Sequence, residues 1–144
     1  MAENSRVFVD SNYFVALFNS SDTLHTRALD PARGIDSQDT PLVISNLVFL
    51  EVVTVLSQRR GRRVAIEVGE HLLTNSLITI IHVDELLQRE SWRIFQNSKE
   101  KNISFVDASI IAIMQSERVG TLLTFDIRDF KKLQKLYRFN FYEF

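Results

Sequence analysis

The stretch Arg6-Val7-Phe8-Val9-Asp10-Ser11-Asn12 joins an apolar, strand-favouring triplet to a carboxylate and two short polar side chains. Val-Phe-Val is the short apolar run that a buried strand requires. Ser11 and Asn12 are helix N-cap types, so a short helix over 12–18 is expected to follow. Asp10 then stands at the carboxyl end of a strand, where ligands gather in an open α/β sheet. Taken alone, an Asp between strand and helix reads first as a turn or cap residue. The expectation is that Asp10 founds an acidic, metal-holding pocket completed by carboxylates from later segments.

The strand-then-polar pattern recurs at Leu42-Val43-Ile44-Ser45-Asn46, after a second short helix over 23–32, capped by Asp22, and a polar loop over 34–41. A helix over 47–60 carries Val48, Phe49, Val52, Val53, Val55 and Leu56 on a broad apolar arc, with Glu51, Thr54 and Gln58 on the opposite edge. Gly61 ends it, and a helix over 64–74 completes a helical hairpin. Residues 77–83 are β-rich and predict a third strand. Asp84 caps a helix to about Ser98, with Leu86, Leu87, Trp92, Ile94 and Phe95 expected in the core. A very apolar helix spans 104–117, Gly120 ends the turn behind it, and 121–125 is a fourth strand. A helix over 126–136 and a last strand over 139–144 complete the alternation. With no repeat or linker, the chain predicts one domain over 1–144, built on a mostly parallel sheet with helices on both faces.

Composition narrows the chemistry. At 144 residues and 45% hydrophobic, the chain is long and apolar enough for one core, and disorder is not expected. Gly 4 and Pro 2 argue against a many-hairpin all-β chain. Cys 0 removes disulfides, thiolate metal sites and thiol nucleophiles, and it suits a reducing cytoplasm. The polar start Met1 to Arg6 predicts no secretory signal. The apolar run over 42–56 is broken by Asn46, Glu51 and Thr54, so no membrane helix is expected. A net charge of -1 excludes a uniformly basic nucleic-acid coat and leaves local patches as the alternative.

Four carboxylates have matching addresses on this map. Asp10 follows the first strand, Glu51 lies early in the helix after the second, and Asp126 follows the fourth. Asp107 lies in the first turn of Ser104-Phe105-Val106-Asp107-Ala108. In a parallel sheet the carboxyl ends share one edge, so sequence-distant residues converge there. Each acid also has a structural reading: Ser104 with Asp107 is a capping box, Asp126 an N-cap with Asp129 favourable behind it, and Glu51 an exposed helix residue. Four acids directed to one edge are harder to explain that way, because clustered carboxylates repel unless something positive sits among them. Oxygen-only ligands suit Mg²⁺ or Mn²⁺, which activate water and stabilise a leaving oxygen in phosphodiester hydrolysis. His25, His71 and His82 make no metal-binding pair at helical spacing, and His25 reads as a surface or capping residue.

In order and spacing, the motifs around Asp10, Ser45-Asn46-Leu-Val-Phe-Leu-Glu51, Ser104 to Ala108 and Thr124-Phe125-Asp126-Ile-Arg-Asp129-Phe130 resemble PIN-domain proteins, in particular the VapC-type toxin ribonucleases of toxin–antitoxin pairs. The resemblance spans nearly the whole chain and implies a PIN-like three-layer α/β/α sandwich around a central, mostly parallel sheet. It also implies metal-dependent endonucleolytic cleavage of RNA in the cytoplasm, a homodimer, and neutralisation by a cognate antitoxin protein. Asp10, Glu51, Asp107 and Asp126 match the family's acidic catalytic positions. Asp10, Asp107 and Asp126 are then metal ligands for Mg²⁺ or Mn²⁺, Asp129 is a further ligand or supporting acid, and Ser11, Asn12, Ser45 and Thr124 support the carboxylates by hydrogen bonding. Two features depart from the family's pattern. The loop over 32–40 is long and polar, which bears on the mouth of the site, and the tail over 138–144 is rich in aromatics that suit a partner as well as a strand.

Arg59, Arg60, Arg62 and Arg63 at the hairpin tip, and Lys131, Lys132, Lys135 and Arg138 after the last acid, offer two basic patches for RNA phosphates, and equally two solvated helix ends. Beside the toxin ribonuclease stand a non-toxin PIN nuclease of RNA processing and a non-catalytic RNA- or protein-binding PIN module. A phosphorelay receiver is the alternative outside the family, and the single Asp10 after the first strand disfavours it.

Overall fold

The computed structural model describes residues 5–144; Met1 to Asn4, part of the polar start read above, lie outside them. Strands β1 (Val7–Val9), β2 (Leu42–Ser45), β3 (Ile78–Ile81), β4 (Thr121–Leu123) and β5 (Asn140–Phe141) form one sheet in the order β3-β2-β1-β4-β5. Every neighbouring pair is parallel. Helices α1 (Ser11–Phe18) and α2 (His25–Ser37) connect β1 to β2, and α3 (Asn46–Arg60) and α4 (Arg62–Thr74) connect β2 to β3. Next come α5 (Glu85–Asn97) and α6 (Phe105–Glu117) between β3 and β4, and α7 (Ile127–Gln134) before β5.

Right-handed crossovers fix where these helices go. The chain steps from β1 to β2 to β3 in one direction, which lays α1 to α4 on one face. It then jumps back over β2 and β1 to β4 and continues to β5, which lays α5 to α7 on the other. The contacts of α1 with α2 and α3, of α3 with α4, and of α5 with α6 agree with this division. The expected α/β sandwich is therefore present, and its sheet is wholly parallel among the described residues. Strand order excludes the receiver alternative, whose sheet runs 2-1-3-4-5. The reversal of direction falls between β1 and β4, and the crevice beyond their carboxyl ends is where such a sheet binds ligands.

A parallel sheet covered on both faces needs strands that are apolar throughout. Val7, Phe8 and Val9 are buried, as are Leu42, Val43, Ile44, Leu122 and Leu123. From α3, Val48, Val52 and Leu56 pack against them at helical spacing, and α6 is buried continuously over 108–114. No helix among the described residues is long and apolar enough to cross a membrane.

Four expectations need correction. First, α2 runs to Ser37, through Pro31 and Gly34, where the sequence predicts a break. Ala28, Pro31 and Ile35 are its buried face, so packing overrides two weak helix formers. Gly34 gives room for Tyr142, whose Oη stands 3.1 Å from where a Cβ would be. Only 38–41 remains as loop, and it precedes β2 at the sheet's amino edge, away from the crevice, so it cannot shape the mouth of a site there. Second, Leu24 and not Asp22 is the N-cap of α2; Asp22 Oδ1 accepts the Leu24 N–H at 2.9 Å. Third, α5 faces the core through Leu87, Ser91 and Ile94, which leaves Leu86 75% and Trp92 52% exposed. Fourth, the last strand shrinks to Asn140–Phe141, whereas α6 ends at Glu117 as expected, closed by a left-handed Arg118 (φ 56°).

Candidate active site

Register decides which side chains meet. Val9 pairs with Leu123 across β1 and β4, and the Asp10 N–H continues the ladder to the Leu123 carbonyl at 2.9 Å. One residue further on, Asp10 and Thr124 stand side by side. The Thr124 hydroxyl donates to Asp10 Oδ2 at 2.8 Å, and the Ser11 N–H donates to Oδ1 at 2.8 Å. Thr124 Oγ1 also accepts from Asp126 N at 3.0 Å and from Asn12 Nδ2 at 3.3 Å. Asn12 Oδ1 in turn accepts the Phe125 N–H at 3.2 Å. Asn12 thus fixes the turn that carries Asp126, which its position in the sequence does not reveal.

The other two acids arrive on helices. Glu51 lies in the second turn of α3 and accepts a hydrogen bond from Ser11 Oγ at 2.8 Å. Asp107 forms the expected capping box at the start of α6: Ser104 Oγ accepts the Asp107 N–H, and Asp107 Oδ2 accepts the Ser104 N–H, both at 3.0 Å. The cap does not exclude the other role. It engages Oδ2 and leaves Oδ1 uncommitted among the described residues.

Asp10, Glu51, Asp107 and Asp126 line one cleft of about 580 Å³ with Ser11, Asn12 and Ser104. The sequence reading missed its apolar rim of Leu47, Leu50, Val55 and Val106. Leu50 is 62% exposed beside an acid, a pairing visible only once α3 is oriented. Asp129 does not line the cleft, yet its charge raises the pKa of both Asp107 and Asp126.

Electrostatics mark the cluster as incomplete. Burial, then the charges of Asp107 and Asp126, push Asp10 from 3.8 to about 7, against the opposing hydrogen bonds from Thr124 and Ser11. Burial also raises Asp107, with Asp126 and Asp129 adding to the shift. Asp126 is raised by burial, Asp129 and Glu51. Such a site binds either protons or a cation. The donor set is oxygen only, and among the described residues no three His, Asp or Glu side chains close on one point. That pattern fits a hard cation held by one or two carboxylates and otherwise by water and phosphate oxygens, and it does not fit a closed zinc cage.

Several candidates lie elsewhere. Ser45 does not touch a carboxylate: its Oγ caps α3 by accepting the Val48 N–H at 3.0 Å. His25 Nδ1 bonds to the Ala16 carbonyl at 2.8 Å and ties α2 to α1. Arg59, Arg60, Arg62 and Arg63 stand at the α3–α4 tip, the first roughly 12 Å from Glu51 along the helix axis. Arg59 and Arg63 are engaged by Asp22 and Glu67. Lys132 on α7 pairs with Glu100 at 3.0 Å, and Lys131 is exposed beside it.

The model of the PIN domain matches residues 7–136, a span that contains all four acids. The chain belongs to the PIN-domain family. It is 30% identical over 121 residues to the 23S rRNA-specific endonuclease VapC20 of Mycobacterium tuberculosis, covering 83% of this chain and 88% of that one. Among solved PIN-like structures it is similar to the crystal structure of M. tuberculosis VapC20, described as a Sarcin-Ricin loop cleaving toxin, with a TM-score of 0.76 and 27% identity over 88% of this chain and 94% of that one. FitAcB from Neisseria gonorrhoeae shares the fold at a TM-score of 0.68 and 16% identity, over 95% and 96% of the two chains. A toxin–antitoxin complex from Klebsiella pneumoniae does so at 0.59 and 22%, over 86% and 89%.

Proposed function

We propose that this PIN-domain protein is a metal-dependent endoribonuclease and the toxin of a toxin–antitoxin pair, acting on ribosomal RNA in the cytoplasm. The observation that carries the reading is the convergence of Asp10, Glu51, Asp107 and Asp126 from four separate segments on one cleft at the switch point of the sheet. The likeness to VapC20 supports the substrate class, and the likeness to a toxin–antitoxin complex supports an antitoxin partner. A homodimer follows from the family resemblance.

In this reading Asp10 and Asp107 would hold a Mg²⁺ or Mn²⁺ ion, with Asp126 and Asp129 as supporting charges. When bound, the ion supplies positive charge to phosphodiester oxygens and acidifies a water molecule. Thr124 and Ser11 fix both oxygens of Asp10, so its remaining lone pairs have one orientation. Ser11 Oγ orients Glu51, which is exposed at the cleft and can take a proton from the attacking water. Asn12 holds the Asp126 turn against β1.

Incubation of purified protein with 23S ribosomal RNA, with Mg²⁺, with Mn²⁺ and with EDTA, tests this. Discrete fragments are expected with metal and none with chelator. Full activity of both Asp10→Asn and Asp107→Asn at equal purity would overturn the reading.

A further inference from the structure

Next to the acid cluster in sequence, Phe125 links the core to two exposed side chains, Arg27 and Phe144, that the carboxylate chemistry does not use. Phe125 sits between Thr124 and Asp126, one peptide unit of about 3.8 Å from the latter. Its ring turns away from the cleft toward Tyr13, at 6.0 Å between centroids. The Arg27 guanidinium of α2 stands 5.4 Å from the Phe125 centroid and 5.7 Å from that of Phe144, and the two rings meet edge to face at 5.7 Å. Phe144 stays 47% exposed and Arg27 is exposed.

The arginines differ in how they are held. Arg6, Arg33, Arg59, Arg63, Arg89 and Arg93 each face a carboxylate. Arg27 forms no ion pair among the described residues, and two aromatic rings fix it instead. Cation–π contact orients a guanidinium without neutralising it and leaves its in-plane N–H groups free for an anion. A polyanion approaching a cluster of carboxylates needs such a fixed cation nearby, and a half-exposed ring offers a face to an unpaired base.

We propose that Arg27 and Phe144 form an RNA subsite flanking the scissile position: Arg27 takes a backbone phosphate and Phe144 stacks on the base of an unpaired nucleotide. Phe125 is the positioning residue that ties this subsite to the Asp126 turn. The inference rests on the ribonuclease reading but can fail separately from it.

The test uses Asp10→Asn protein, a fluorescein-labelled RNA hairpin of the sarcin–ricin sequence, and anisotropy titrations at several salt concentrations, with wild-type cleavage of the same hairpin measured in parallel. Arg27→Ala is expected to weaken binding about tenfold and to flatten the salt dependence by roughly 0.7 in the slope of log K against log salt, one phosphate's share on a single strand. Phe144→Ala is expected to weaken binding by a similar factor with the slope unchanged, and Phe144→Trp to restore it. Both residues are exposed, so the folded protein tolerates the changes. Affinities within twofold of the Asp10→Asn parent, or a parent that does not bind the hairpin, would overturn the subsite even if wild-type protein cleaves. Unchanged RNA affinity with weakened capture of a protein partner would assign the rings to that partner and also overturn it. Weakened binding by both variants in a protein that never cleaves would sustain the subsite while the nuclease reading falls.

Discussion

Asp84 and Asp126 each lead from a strand into a helix, and they have opposite fates. After β3, Asp84 is an ordinary cap: its Oδ1 accepts the Leu87 N–H at 2.9 Å and its side chain is exposed. After β4, Asp126 holds the same position at the start of α7, yet makes no side-chain cap and lines the acid cleft. Local sequence does not separate them, since both are Asp after a β-rich run. Sheet position does. β3 is an edge strand, whereas β4 borders β1 at the switch point, where Asn12 and Thr124 take hold of the turn that carries Asp126.

The largest effect that would sharpen this contrast is on cleavage. Asp10→Asn and Asp126→Asn are expected to lower the rate by roughly a thousandfold, several kcal/mol of transition-state stabilisation, with an unchanged far-ultraviolet circular dichroism spectrum. Asp84→Asn should cleave as wild type. Equal losses at all three positions would erase the distinction.

Next comes pH. The folded-state pKa of Asp10 lies above its ordinary value, so between about 4 and about 7 the unfolded chain releases a proton that the folded chain retains. Stability of the metal-free protein therefore falls as pH rises through that window, by up to about 4 kcal/mol from Asp10, and the upward shifts of Asp107 and Asp126 act in the same direction. Thermal melts from pH 4 to pH 8 should show this decline. Saturating Mn²⁺ should remove most of it, and Asp10→Asn should flatten it without metal. Melting temperatures that rise with pH would contradict the assignment.

The fold was legible wherever a segment's fate was local. Val-Phe-Val-Asp10, Leu-Val-Ile-Ser45 and the Ser104–Asp107 box each carry their strand, cap or turn signal within a few residues. The extension of α2 through Pro31 and Gly34 was not, because it depends on burial of Ala28 and Ile35 and on the room that Gly34 leaves for Tyr142. Trp92 misled for a related reason: it stacks on Phe95 at 5.8 Å on the outer surface while the small Ser91 faces inward. In the site, the four acids were visible as residues at strand and helix ends. Asn12's grip on Phe125 and Thr124's on Asp10 needed the register of β1 against β4, and Ser45's separate role needed the cap geometry of α3.

Two smaller effects bear on those supports. Thr124→Val should reduce cleavage or metal affinity about 10- to 100-fold, whereas Ser45→Ala should leave cleavage intact and lower stability by about 1 kcal/mol, the cost of a lost N-cap. Activity assays and denaturant titrations of the pair would measure both. Asp84→Ala should show a similar stability loss alone, again about 1 kcal/mol.

The hydroxyl of Thr124 has no spare valence. It accepts from Asn12 and Asp126 and gives its only proton to Asp10 Oδ2, while Ser11 N occupies one lone pair of Oδ1. A proton that neutralises Asp10 must then lodge on a remaining lone pair, and these are the ones it can offer to a metal in the cleft. Neutral acid and metal carboxylate become rival tenants of one position. Loading the site below about pH 7 is an exchange, one cation in and one proton out, so acidification and chelation push the protein the same way along a single axis.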